Sequence, residues 1–328
     1  MKRTPSRAAQ LAFDTSNRLQ ALAGRSGFVL RICAKAANKV AWPLARRLGP
    51  GHLIDARVYG RNLRMPAEHP LALILAQHPQ YNRPLALAAT TLAASGASLP
   101  LTVVDVGANV GETIAVIEQL NPGLCTYLCV EADEEIAKIC RFNHKGDARV
   151  ETVQCFIGED EGALVRLEDD GRANPSTKLV DEAVADSSHH RLVRLDTVAG
   201  PFAEVNGSLS LIKVDTEGYD FSVLRSGAQL LDRYKPALYF EWYPELIEGL
   251  GEEVWDGFDF LAGFGYEHFV FFSSVGDYYC KLSRPDHFLL GSLAKAASQN
   301  KALVYFDVFA STSEGLCNRL VELSLARS

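Results

Sequence analysis

The chain has 328 residues, enough for one large α/β domain with an extension or for two small domains. Its 48% hydrophobic content is that of a globular protein, and no uninterrupted apolar run approaches the roughly 18 residues of a membrane-spanning helix. The net charge of −7 is unevenly divided: residues 1–50 hold ten Lys and Arg against the single acid Asp14, the rest 23 bases against 39 acids. An acidic body repels phosphates, so a nucleic-acid substrate is disfavoured unless the basic segment alone recruits it.

In chain order, Met1-Lys2-Arg3-Thr4-Pro5 is basic, but no apolar stretch with a small-residue cleavage site follows closely, so no secretory signal is expected. The seven cysteines (Cys33, Cys125, Cys129, Cys140, Cys155, Cys280, Cys317) are scattered and lack Cys-x-x-Cys spacing. They fit buried thiols in a reducing cytoplasm better than a disulfide framework or a zinc site. Phe28, Ile32, Ala36 and Val40 recur every four positions beside Arg31, Lys35 and Lys39; Pro43 breaks the pattern and Gly49-Pro50-Gly51 is a linker. Residues 1–50 are thus expected to be a basic helical extension. Its bases are either solvated or laid on an anionic membrane surface or a partner protein.

Residues 51–99 are expected to be a lead-in that packs on the core. Arg57–Arg64 alternates as in a hairpin, and Leu71–Ala94 is helical with an interruption around Pro79 and Pro84. From Pro100 strands and helices alternate, as a mostly parallel sheet with right-handed crossovers requires. Strands are expected at Leu101–Val106, Thr126–Val130, Val150–Ile157, Leu209–Val214, Ala237–Phe240, Tyr266–Phe272 and Ala302–Val308. Helices are expected after Val110, over Asp133–Asn143 with Asp133 as N-cap, over Phe221–Leu231 and over Leu246–Leu261. Ala163–Leu167 is expected to form a hairpin with the Val150–Ile157 strand. The polar stretch Asp169–His190 reads as a long loop or lid. The domain is expected to span 100–310, with a tail over 311–328.

Chemistry concentrates first in Asp105-Val106-Gly107-Ala108-Asn109-Val110-Gly111, a glycine-rich turn directly after the first strand, where such sheets bind nucleotide-like cofactors. Gly107 and Gly111 let backbone approach a ligand and turn into a helix whose free N–H groups suit a carboxylate or a phosphate. The spacing Gly-x-x-x-Gly departs from the dinucleotide fingerprint, and Asp105 is expected to repel a pyrophosphate and attract a sulfonium and an ammonium. S-adenosylmethionine is therefore preferred to NAD. Glu131 follows at the end of the second strand, where a carboxylate can accept both ribose hydroxyls. Later, Ile212-Lys213-Val214-Asp215-Thr216-Glu217-Gly218-Tyr219-Asp220 gathers acids at a strand end. Transfer to a hydroxyl needs its proton removed, so Asp215 is the first candidate for contact with the methionine ammonium or the acceptor, and Glu217 the second. A helix-capping role for Thr216-Glu217 is the structural alternative.

Asp105–Gly111, Val130-Glu131-Ala132, Arg194-Leu195-Asp196-Thr197, Ile212–Gly218, Val223-Leu224-Arg225-Ser226-Gly227-Ala228 and Pro236-Ala237-Leu238-Tyr239-Phe240-Glu241 together resemble the FkbM family of methyltransferases in order and spacing, over roughly residues 100–272. The resemblance implies a Rossmann-like class I methyltransferase fold with a seven-stranded, mostly parallel sheet. It implies S-adenosylmethionine as donor, and most often an oxygen acceptor on a sugar, glycan or polyketide-like product. It also implies that the Leu195-Asp196 and Asp215–Gly218 segments face the cleft. The chain departs from the family at Ala132, where proline is usual, and at Phe156, near which a small residue is usual. A phenyl ring there stacks on adenine or narrows the pocket.

Three further features are weaker. His189-His190 reads as a solvated loop, with a base role as the alternative. Glu241 closes a strand and is placed to face the cleft, while Trp242 packs in the core or on a substrate ring. Asp215, Glu217 and Glu241 include the oxygen ligands a hard metal ion needs, although no metal is assigned. The expected set is thus Asp215, Glu217 and Glu241 for catalysis and Asp105, Gly107, Asn109, Gly111, Glu131 and Phe156 for cofactor binding. The expected location is the cytoplasm, with peripheral contact at the inner membrane surface. The alternative function is a non-catalytic adaptor docked to a membrane-associated assembly through the basic helix.

Overall fold

The structure, a computed structural model, describes residues 4–5, 7–25, 51–168, 176–180, 189–300 and 303–326. The basic periodicity from Phe28 to Val40, Pro43 and the start of the glycine-proline linker lie outside the described residues. β1 (Thr4–Pro5) and α1 (Arg7–Arg25) open the chain. α1 buries Ala9 and Phe13 against a hairpin of β2 (His52–Val58) and β3 (Arg61–Pro66). The Gln10 side chain donates to the Asp55 carbonyl at 3.0 Å and accepts from the Asp55 N–H at 2.8 Å, so an amide stands in for a strand neighbour at that residue. The hairpin turns at Tyr59-Gly60, both with positive φ (48° and 78°), as a tight two-residue β-turn demands. The lead-in ends with α2 (Leu71–Gln77) and α3 (Arg83–Ala94), separated where the proline-rich interruption was expected.

The main sheet has eight strands, not seven: β4 (Leu101–Val106), β5 (Cys125–Glu131), β6 (Val150–Gln154), β11 (Leu211–Val214), β12 (Ala237–Trp242), β13 (His268–Ser273), β14 (Tyr278–Leu282) and β15 (Phe306–Ser311). Their order is β14-β13-β15-β12-β11-β4-β5-β6. From β6 to β12 all neighbours are parallel; β15 inserts antiparallel between β12 and β13, and β14 is antiparallel to β13. The extra strand, β14, is a half-exposed edge with no fully buried face, so it lacks the apolar run that marks the others. Every residue of β4, β11, β12 and β15 is buried, because helices cover both faces.

These helices include α4 (Glu112–Leu120), α5 (Glu134–Asn143) and α6 (Leu195–Asn206). Asp133 caps α5 as expected, accepting from the N–H groups of Glu135 and Ile136 at 2.8 and 2.9 Å. The helix expected over Phe221–Leu231 is two, α7 (Asp220–Ser226) and α8 (Ala228–Tyr234), with the chain breaking at Gly227, whose absent Cβ makes room for Leu195. The helix expected over Leu246–Leu261 is likewise two, α9 (Pro244–Gly249) and α10 (Asp256–Gly263), parted by a turn with Gly251 at φ 82°. α11 (His287–Gln299) was not anticipated, and the expected C-terminal tail is largely α12 (Glu314–Leu325). α12 buries Cys317 and Leu320 in the cluster that holds Leu85 and Leu92 of α3.

A second, small sheet runs β7-β10-β8-β9, from β7 (Phe156–Ile157), β8 (Leu164–Glu168), β9 (Ser176–Val180) and β10 (His190–Val193). The expected hairpin between the Val150–Ile157 segment and Ala163–Leu167 is not formed. β10 lies between them, parallel to β7 and antiparallel to β8. Strand alternation identifies a strand but not its partner, and the paired residues here lie 25 to 36 positions further along the chain, from His190 opposite Val165 to Val193 opposite Ile157. Part of the expected loop over Asp169–His190 is strand β9, paired with β8; residues 169–175 and 181–188 lie outside the described residues.

Candidate active site

The turn after β4 is left-handed at three places, Gly107 (φ 75°), Asn109 (φ 48°) and Gly111 (φ 85°). The glycines are required by the protein's own packing. A Cβ on Gly107 would collide with the carbonyl of Asp215, and one on Gly111 with the His144 ring at the end of α5. His144 Nε2 lies 2.9 Å from the Gly111 carbonyl. Gly111 therefore does not touch the cavity described below, contrary to expectation; it locks the turn to α5.

Asp105 also differs from expectation. It is wholly buried and does not line the cavity, and Lys213 Nζ lies 3.0 Å from its Oδ1. Parallel pairing sets Lys213 directly opposite Asp105 on adjacent strands, which explains the contact. Lys213 also donates to the Gly107 carbonyl at 3.1 Å and lies 3.5 Å from Asp215. The Asp105 charge is thus neutralised inside the protein, and the electrostatic argument for a cationic ligand must rest on other acids.

Those acids line a cavity of about 440 Å³ at the carboxyl ends of the strands. Sheet order divides it. On the β5–β6 side lie Glu131, Ala132, Asp133, Phe156, Ile157, Val165 and Leu192; on the β11–β12 side lie Asp215, Thr216, Glu217, Tyr219 and Glu241. Gly107, Asn109 and Glu112 stand between them, at the end of β4. No Lys or Arg lines the cavity among the described residues, whereas eight carboxylates do, so its field favours a cation.

On the first side, Glu131 accepts from the N–H of Asn109 at 2.8 Å on one oxygen and of Asp133 at 2.9 Å on the other. Burial still raises its pKa to about 7 against those two bonds. The Phe156 ring stacks on His190 at 4.7 Å, so one of its faces is covered by the protein. His190 is exposed, and neither it nor His189 lines the cavity.

On the other side, Glu241 is buried and its Oε2 has no hydrogen-bond partner. Burial, reinforced by Asp215, Asp220, Glu217 and Asp307, holds its carboxyl well above the usual range. Asp220 braces this corner: it accepts from the Glu241 N–H at 3.1 Å and from the Thr216 N–H and hydroxyl at 3.2 and 3.0 Å. Thr216-Glu217 therefore is not a helix cap. The bend is held by Asp220, by Glu217 at φ 53°, and by Gly218, whose absent Cβ leaves room for Leu246.

The cavity is roofed by the lead-in, through Pro66, Glu68, His69, Ile74 and Tyr81, and by Tyr305 just before β15. His69 Nδ1 accepts from the Leu71 N–H at 3.3 Å, which leaves Nε2 protonated to donate to Asn109 Oδ1 at 3.2 Å. Sequence reading missed these residues and Glu112, and it gave no role to Lys213 or Asp220 within the acidic segment. The lysine and the two acids sit within or one step beyond the motifs. The roof residues carry no motif at all. The resemblance also misplaced Leu195-Asp196: neither lines the cavity, and Asp196 accepts from the N–H groups of Gln229 and Leu230 in the first turn of α8. Trp242 is core, its indole donating to the Val254 carbonyl at 3.1 Å. No group of three or more His, Cys, Asp or Glu side chains among the described residues is placed to hold a metal ion.

Comparison with known families places this geometry. The pattern described as Methyltransferase FkbM domain matches residues 105–267. Those residues form an FkbM methyltransferase domain. The α/β fold is that of the Rossmann-like class I methyltransferases, with a helical N-terminal region. Among solved structures, the methyltransferase FkbM from Methylobacillus flagellatus is 14% identical with a TM-score of 0.38. The match covers 74% of this chain and 53% of that one, so this chain spans about half of its length. The METTL16 MTase domain is 10% identical, TM-score 0.41, covering 77% and 73%. A SAM-dependent methyltransferase from Aquifex aeolicus is 13% identical, TM-score 0.36, covering 74% and 98%. Comparison with curated protein sequences found no match. No helix among the described residues is long and apolar enough to cross a membrane.

Proposed function

We propose that the chain uses S-adenosylmethionine to methylate a hydroxyl of a sugar, glycan or natural-product acceptor. The observation that carries this reading is the buried, unpartnered Oε2 of Glu241 in a cavity lined by carboxylates and by no Lys or Arg among the described residues. The residues present fit the donor. Each Glu131 oxygen uses one lone pair on a backbone N–H and keeps another for a ribose hydroxyl. Phe156 and Ile157 offer an apolar place for adenine beside it. Asn109 and Gly107 present the loop between the two sides.

When bound, S-adenosylmethionine supplies a methyl group on a sulfonium centre. The acceptor hydroxyl must lose its proton as the new bond forms, and Glu241 takes it. Burial and the neighbouring acids disfavour the ionised form of Glu241, and a cation in the cavity favours it, which makes the carboxylate available as the base. The charge inside the site then stays constant through the step, because the carboxylate becomes neutral as the positive centre opposite it is lost. Asp215 and Glu217 contact the acceptor from the β11 bend.

Residues 1–50, with their excess of bases, are the place to test contact with an anionic membrane or a partner protein. The decisive experiment pairs calorimetric titration of S-adenosylmethionine with labelled-methyl transfer into glycans and cell extracts. Binding together with alkali-stable label on a hydroxyl is expected. Absence of binding sinks the donor assignment, and label found on nitrogen or carbon sinks the oxygen acceptor.

A further inference from the structure

Glu112 is the first residue of α4, immediately after the glycine turn. It lines the cavity, and its Oε2 is buried without a hydrogen-bond partner. Two of the acids around it lie beside a cation. Asp105 is held by Lys213 at 3.0 Å, and Asp215, whose side chain is 45% exposed, lies 3.5 Å from the same amine. Glu112 makes no ion pair among the described residues; its own N–H and the Lys213 charge favour the ionised form, but burial outweighs them and Oε2 is left without a hydrogen-bond partner. The groups that face it are Lys213 and Asp215 from the β11 end, Asp105 from β4, Tyr59 from the hairpin and Tyr81 from the roof. Only Lys213 is a cation, and it already serves two other carboxylates.

The donor is an extended molecule, with adenine and ribose at one end and an amino acid at the other. Glu131 lies at the end of β5 and Asp215 at the end of β11, and Glu112 lines the cavity between them, so a donor with its ribose on Glu131 would reach β11 past Glu112. We propose that Glu112 receives the α-ammonium of the donor's methionine end. This rests on the reading of the cavity as an S-adenosylmethionine site. The pairing gives the unpartnered Oε2 an ammonium, a charge-assisted contact of the strong kind. It also has a proton signature. Burial raises the Glu112 carboxyl to about 8 in the free protein, against the opposing pull of Lys213. An ammonium beside it favours the ionised form, so the ligand expels a proton on binding at neutral pH.

The test is titration calorimetry of the full chain at pH 7 in two buffers of different ionisation heat, with S-adenosylmethionine, S-adenosylhomocysteine and methylthioadenosine, which lacks the amino-acid end. Wild type is expected to release about one more proton than Glu112→Gln with the first two ligands. The variant should bind both at least tenfold more weakly and bind methylthioadenosine as wild type does. Glu112→Asp, which keeps the charge, should recover part of the proton release. Equal proton release in wild type and Glu112→Gln, or equal weakening of all three ligands, overturns the assignment. If wild type binds none of the three, the donor reading itself fails, which is a separate result.

Discussion

The two sides of the cavity follow opposite rules. On the β5–β6 side the polar group is already engaged: Glu131 holds two backbone N–H groups before any ligand arrives, and apolar residues surround it. On the β11–β12 side Glu241 is buried without a partner on Oε2, and Asp220 and Asp307, both pushed to about 7 or 8, crowd behind it. The first side is shaped in advance for a ligand it grips by shape and hydrogen bonds. The second stores unfavourable electrostatics that a positive ligand relieves.

The contrast breaks most sharply at Glu241. Glu241→Gln keeps the shape and removes the base, so methyl transfer is expected to fall roughly 10²–10⁴-fold with little change in donor affinity. A turnover close to wild type would leave the second side with no catalytic distinction. Next in size is Glu131→Ala, which frees two N–H groups and removes the carboxylate proposed to hold the ribose. Donor affinity measured by calorimetry should drop by about 2–3 kcal/mol while the KM for the acceptor holds. A smaller loss, about tenfold in kcat/KM, is expected for Asp215→Asn, because that carboxylate is half exposed and shares Lys213 with Asp105. Parental turnover in that variant would remove Asp215 from the acceptor contacts.

The smallest effect concerns the ligand-free protein. Glu112, Glu131, Asp220 and Asp307 are raised by burial to about 8, 7, 7 and 8, so the fold holds protons that the unfolded chain releases near pH 4. For acids raised in the folded state, that stability is full at low pH and is lost as pH climbs from the usual carboxylate range through 7 to 8. The Tm without ligand should therefore be several degrees lower at pH 8.5 than at pH 6, and saturating donor should shrink the difference. A Tm that rises over this interval would mean that these acids are ionised and partnered in the folded state.

The same division decides what could be read from the sequence. Glu131, Gly107, Asn109 and Phe156 belong to short segments in which strand, turn and cavity lining are neighbours in the chain, and all line the cavity. Gly111 and Asp105 were found for the right pattern but given the wrong partner: His144 and Lys213 are distant in sequence and adjacent only once the strands pair. Lys213 was visible as a residue, yet its meaning depends on its register opposite Asp105. His69, Tyr81 and Tyr305 lie on irregular segments outside any repeat, so nothing local marks them. The eighth strand was missed for a related reason, since a half-exposed edge strand has no apolar signature.

The roof has a consequence for anyone who would move this domain. The family boundaries, 105–267, begin inside β4 and end before β13, so a fragment cut there loses β13, β14 and β15 and exposes the edge of β12. It also loses His69, Tyr81 and Tyr305, and with them the enclosure above the ligand. What is inherited as a recognisable unit is thus smaller than what must fold together, and shuffling at the inherited borders would yield a sticky, open sheet rather than a portable enzyme.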